Sequence, residues 1–245
     1  MGERHSWFLL KEWCALGSTS STEIERSSVA EDTHSIPFSQ KDVKRMIKLT
    51  TAKTLGSLIA RRNRAVIAFL AQTGQRESVL AGITWEMIQR GKRIALGHRD
   101  RSHAVIEIGP EFPKNKLRQR YRFVIGSNAL KLMEKLPRPH VGRVFKTAKG
   151  KDKMAVRTIA RIVDEAADTC EIQYETERTF RGWMWHGVHP HVFRRYWKRQ
   201  MKLGGVNDKD LLEYMLGHRV TAYDAWTDAD LLSNYKMAER KLAVL

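Results

Sequence analysis

The chain has 245 residues, 42% of them hydrophobic, which is enough to bury a core as one large domain or two small ones. Lysine and arginine total 44 against 27 acidic residues, and the resulting formal charge of +17 favours a polyanionic partner, nucleic acid first. Cys14 and Cys170 stand far apart without a CxxC or His/Cys spacing, so neither a disulfide framework nor a zinc site is indicated; the apolar run SWFLLKEWCAL is short and broken by charge, which excludes a membrane span, and a cytoplasmic protein with no membrane partner is expected.

In chain order, residues 1–17 hold one possible helix, and residues 18–36 are rich in serine, threonine and acid, as a linker would be. Residues 1–36 therefore read as an N-terminal extension and 37–245 as the folded domain. PFSQKDVKRMIKL predicts a helix capped by Ser39, with Val43, Met46 and Ile47 on its apolar face, and a second helix follows over 58–72. Between 92 and 125 the runs RIALG, HAVIEIG and RYRFVIG predict a small three-stranded antiparallel sheet. Helical patterns return over 128–136, 155–169, 190–203, 208–216 and 230–242. The fold class is α+β, mainly helical with one small sheet, and no internal repeat is present.

Three segments carry residues suited to phosphate chemistry. In HPHVFRRYWKRQMK, Pro190 suits a first helical turn and sets His191 and Arg194 three apart on one face, where a phosphate could meet both. Arg195, Lys198, Arg199 and Lys202 continue the positive charge as candidate DNA contacts. In DKDLLEYMLGHRVTAYDAW, a helix capped by Asp208 is stopped by Gly217, so His218 lies just past a helix end and Tyr223 falls in a connection that can present its hydroxyl. In AQTGQRESV, Arg76 opens a new segment just after a helix ends near Gly74 and is a candidate phosphate clamp.

These pieces, in this order, resemble the tyrosine recombinase family over roughly residues 37–245. The family pattern is an arginine in a TGxR context, a lysine in a β-hairpin, HxxR, a histidine or tryptophan in an LGH-type context, and a tyrosine nucleophile. They correspond here to Arg76 in TGQR, Lys114 or Lys116 in PKNKLRQRYRFVI, His191 and Arg194 in HVFR, His218 in LGH and Tyr223 in AYD. Lys114 is preferred, with Lys116 close behind. The ending AYDAWTDADLLSNYKMAERKL looks most like integrases of archaeal viruses and plasmids.

The resemblance implies a site-specific recombinase that cuts and rejoins double-stranded DNA through a 3′-phosphotyrosine, without metal, ATP or other cofactor, four protomers acting in one synapse. It leaves two other readings open: a type IB topoisomerase that nicks and reseals as a monomer, and a catalytically silent DNA-binding protein on the same fold. The chain departs from the pattern in three places. Val79 stands where an acidic residue commonly follows the first arginine by three. Nine residues after His218 comes Thr227, with Tyr223 early and Tyr235 late, and Tyr223 is preferred because Tyr235 shares the apolar face of the last helix with Leu231, Ala238 and Leu242. Residues 1–36 are too few for the N-terminal domain with which such integrases clamp DNA.

Overall fold

The first helix, α1 (Gln40–Ala52), begins as its sequence predicts: the Asp42 amide donates to Ser39 Oγ at 3.2 Å while the Ser39 amide donates to Asp42 Oδ2 at 2.8 Å. This reciprocal cap satisfies two of the amides that a helix start leaves unpaired. Val43, Met46 and Ile47 are buried, one turn apart. The computed structural model describes residues 38–52, 57–112, 119–137, 140–147, 154–172, 188–220 and 226–245. All of them lie within one compact unit, Ile36–Leu245.

Helix α2 (Leu58–Thr73) starts at Ser57, whose side chain accepts from the Ala60 amide, and from Ala65 to Thr73 every residue is buried. A helix covered on all sides serves as a central strut. Around it pack α1, α5 (Ser127–Glu134), α6 (Val156–Thr169) and α7 (Pro190–Leu203). The remaining helices among the described residues are α3 (Glu77–Leu80), α4 (Trp85–Gly97), α8 (Lys209–Met215) and α9 (Asp228–Leu242).

The sheet corrects one expectation. Among the described residues it has two strands, not three: β1 (Ala104–Ile108) runs antiparallel to β2 (Tyr121–Ile125), with Ala104 opposite Ile125 and Ile108 opposite Tyr121. RIALG, read as the first strand, is the last part of α4. The helix is set further upstream, where Thr84 caps the Met87 amide and Trp85, Ile88, Gly91 and Ala95 are buried at helical spacing. Local β-propensity in Ile94–Leu96 yields to that frame. Gly91 lets β1 approach, since a Cβ there would stand 2.5 Å from the Val105 carbonyl oxygen. With α4 and α9 against β1, four of its five residues are buried, so the strand lacks the alternation of a half-exposed sheet.

Beside the sheet, α9 is fastened by a cluster of charges. His103 Nδ1 lies 2.8 Å from Asp100 Oδ2, its Nε2 lies 3.1 Å from Glu239 Oε1, and Lys236 Nζ reaches Asp100 Oδ2 at 2.7 Å. Burial alone would lower the His103 pKa, but Glu239 and Asp100 outweigh it and the pKa is raised. The hydrogen bond from His103 holds the Glu239 pKa down to about 2, although partial burial pushes it upward. The His103 contribution to stability is thus fully present below its unfolded pKa of about 6.5 and is lost as pH rises through the higher folded value; the Glu239 contribution is present above about pH 4 and is lost on acidification. The melting temperature should fall from pH 6 to pH 9, and His103→Gln should remove that alkaline fall. A slope of the same size in the variant would overturn the assignment.

Candidate active site

The LGH segment is a helix end with a defined geometry. Asp208 accepts from the Leu211 amide at the start of α8, and at its finish Gly217 takes φ +69°. The Gly217 amide donates to the Tyr214 carbonyl at 2.8 Å and the His218 amide to the Glu213 carbonyl at 2.9 Å, the paired bonds of a Schellman cap. A side chain at 217 would be strained and would meet the Tyr121 ring at 2.7 Å. The cap turns His218 back over the residue five before it. There Glu213 Oε2 hydrogen-bonds with His218 Nδ1, while Glu213 Oε1 pairs with Lys198.

Helix α7 brings the HxxR pair to this end. Phe193, Tyr196, Trp197 and Met201 are buried in the core, and Arg194, on the edge of that face, is only 4% exposed. Its Nη1 donates to the Gly74 carbonyl at 3.0 Å, and its Nη2 donates to the Leu216 carbonyl at 2.6 Å and to His218 Nε2 at 2.9 Å. One guanidinium therefore joins the end of α2, the start of α7 and the end of α8. Because arginine only donates, His218 Nε2 is the acceptor of that contact, which assigns the ring proton to Nδ1, facing Glu213.

The third segment enters through Gly74, at φ +61°, where a Cβ would lie 2.9 Å from the Trp197 side chain. Gln75 is buried: its Nε2 donates to the Met215 carbonyl at 2.7 Å, and its Oε1 accepts from the Tyr121 hydroxyl at 3.2 Å. Arg76 follows as the N-cap residue of α3, extended and exposed. Burial first, and then the Arg76 charge, brings the Arg194 pKa down to about 10, so the Arg194 guanidinium stays cationic at neutral pH. The repulsion between the two guanidiniums is what a bound phosphate would relieve.

His191, the second residue of α7, is exposed, with its ring centroid 6.2 Å from that of His189. Burial and then the charge of Arg194 lower its pKa, which leaves the ring neutral at pH 7. Arg195, Arg199 and Lys202 are exposed on α7, whereas Lys198, read from sequence as a DNA contact, is engaged by Glu213. Lys114, Lys116 and Tyr223 lie outside the described residues. On either side of residues 221–225, Val220 is buried and the Trp226 indole donates to Asp208 Oδ2 at 3.2 Å. Arg122 of β2 adds donations to the Trp226 carbonyl at 2.7 Å, Asp228 Oδ1 at 2.8 Å and the Tyr214 hydroxyl at 3.1 Å. Tyr235, the other tyrosine considered, is fully buried, donates to the Gln72 carbonyl at 2.9 Å, and has its pKa pushed well up by burial.

Glu213, Gln75, Tyr121 and Arg122 were not singled out from sequence. Only Glu213 carries a local signal: a residue directly after a capping glycine sits over the one five before it.

Among solved structures, the fold is similar to XerA recombinase (TM-score 0.51, 17% identity, 84% of this chain and 64% of that one). It is also similar to an integrase from mycobacterium phage Brujita (TM-score 0.54, 16% identity, 84% and 58%) and to XerH site-specific recombinase bound to difH substrate in a pre-cleavage complex (TM-score 0.51, 13% identity, 84% and 51%). This chain spans less than two thirds of each of those proteins. No curated protein matches. No described helix is long and apolar enough to cross a membrane. The sequence profile of the phage integrase family matches residues 37–223, a stretch that takes in the Arg76 turn, the HxxR helix and the LGH cap, and the chain belongs to that family.

Proposed function

We propose that this chain is the catalytic domain of a tyrosine-type site-specific DNA recombinase, spanning residues 37–245, which cleaves and rejoins strands of double-stranded DNA through a 3′-phosphotyrosyl intermediate. The observation that carries the reading is the convergence on Arg194 of the three segments that hold Arg76, His191 and His218. Attack on a phosphodiester builds negative charge on its non-bridging oxygens, and two forked cations with a histidine beside them are a stabilising set for that charge. In this reading Arg76 and Arg194 hold the phosphate and His218 adds a hydrogen bond, so neither metal nor ATP is called on.

Tyr223 is the nucleophile: it attacks phosphorus, the bond to the 5′-oxygen breaks, and Lys114, or Lys116 beside it, gives that oxygen its proton. His191, whose neutral ring has a lone pair to offer at pH 7, takes or positions the phenolic proton. Since the phosphotyrosyl ester keeps the energy of the broken bond, a 5′-hydroxyl from a second duplex can attack it and complete strand exchange. Arg195, Lys198, Arg199 and Lys202 on α7, together with Lys116, are the DNA contacts, and four protomers assemble into a synapse. The likeness of the last segment to integrases of archaeal viruses and plasmids supports a mobile genetic element as the source.

The test is a nicked suicide duplex incubated with the protein in EDTA, with any adduct trapped under denaturing conditions and its attachment mapped by mass spectrometry. An adduct at Tyr223 is expected, its rate holding as pH is lowered to the usual histidine range because the His191 pKa is lowered. Relaxation of supercoiled plasmid without strand exchange would favour the topoisomerase alternative. No adduct on cognate DNA would favour the silent DNA-binding one.

A further inference from the structure

Outside the phosphate-facing residues, one half-buried acid has a geometry that the reaction can use. Glu213 gives each carboxylate oxygen a separate partner, Oε1 to Lys198 and Oε2 to His218 Nδ1. His218 Nε2, the far side of the same ring, meets Arg194 Nη2 at 2.9 Å. The order Lys198, Glu213, His218, Arg194 is thus a continuous chain from the α7–α8 contact to the phosphate pocket. Glu213 has a side-chain exposure of 18%, and the Schellman cap at Gly217 fixes its backbone relative to His218.

We propose that Glu213 is a positioning residue for His218, holding the ring proton on Nδ1 and stabilising the doubly protonated ring when Nε2 turns from accepting to donating. The inference rests on the reading of His218 as a donor to the phosphate. With Nδ1–H committed to Glu213, the neutral ring can only accept at Nε2, as it does from Arg194. To donate to a phosphate oxygen the ring must take a second proton from solvent, and its Arg194 contact must then open. The carboxylate on the other side is the group that compensates that added charge. Phosphate arrival would therefore exchange one arrangement, Arg194 donating to His218, for another in which Arg194 and His218 both donate to the same anion.

Two readouts test this. In the DNA-free protein, ¹⁵N chemical shifts of the His218 ring should show the proton on Nδ1, and Glu213→Ala should lose that preference. On the suicide duplex, Glu213→Ala should form adduct about 10- to 100-fold more slowly, by analogy with removal of the carboxylate that orients a metal-ligating histidine. DNA affinity in a gel-shift assay should be retained. Glu213→Gln, which keeps an oxygen to accept from Nδ1 but loses the charge, should restore the tautomer and only part of the rate. A wild-type ring protonated on Nε2, or Glu213→Ala with an unaltered cleavage rate, would overturn the proposal. If the wild type forms no adduct at all, it is the recombinase reading that fails, and the ring tautomer still decides whether Glu213 positions His218.

Discussion

Replacing Tyr223 by phenylalanine is expected to abolish the covalent adduct completely while leaving binding to duplex DNA unchanged. No other group in the proposed mechanism can form the ester, so the effect is all or none, unlike loss of a stabilising donor. The contrast with Tyr235 makes the test specific. The Tyr235 hydroxyl is buried against the Gln72 carbonyl, and burial raises its pKa, so it has neither access to a phosphate nor a tendency to ionise. Tyr235→Phe should keep adduct formation and cost about 1 kcal/mol of stability through the lost hydrogen bond. The family match also runs as far as Tyr223 and stops short of Tyr235. Adduct formation by Tyr223→Phe would remove Tyr223 as the nucleophile.

The second large effect is expected at Arg194. Lysine there keeps the charge, but a single ammonium cannot reproduce a planar fork that reaches the Gly74 carbonyl, the Leu216 carbonyl and His218 together. Cleavage by Arg194→Lys should fall about 100- to 1,000-fold, the range for loss of one preorganised donor to a developing anion. Stability should fall as well, by about 1–3 kcal/mol, because buried carbonyls that the guanidinium satisfied lose a partner. Single-turnover cleavage and urea unfolding measure the two losses separately. A variant that loses stability yet cleaves within about tenfold of wild type would make Arg194 a structural pin and not a phosphate ligand.

How much of this could be read in advance depended on how local the cause was. The α7 span, with Pro190 at its start, and the Asp208 and Gly217 boundaries of α8 were legible because caps act within a turn of the residues that specify them. Arg76, His191, Arg194 and His218 were legible as motifs, whereas the meeting of the Gly74 and Leu216 carbonyls and His218 on the Arg194 guanidinium is a property of the folded chain. The third strand was misread because Ile94–Leu96 favours a strand locally, while the cap at Thr84 and the buried face from Trp85 to Ala95 impose a helix on the longer stretch. The pairing of Lys198 with Glu213 was not legible because Glu213 lies on another helix. Gln75 and Tyr121 escaped notice for the same reason: their bond closes a gap of 46 positions in sequence.

Helix α7 faces two ways. Arg194 looks inward to the junction of three chain segments, while Arg199 and Lys202, a turn or two further along, are exposed. On the proposed function, with Arg199 and Lys202 at the DNA, a lineage of such proteins could acquire new target sequences by substitution on the outer face without rebuilding the machinery that breaks the strand. Gly74 and Gly217 would have no such latitude, although neither has a side chain to offer DNA, because each is hemmed in by Trp197 or Tyr121 and holds a left-handed backbone. Retargeting by laboratory selection would accordingly start from positions 199 and 202 and leave 74 and 217 as glycine.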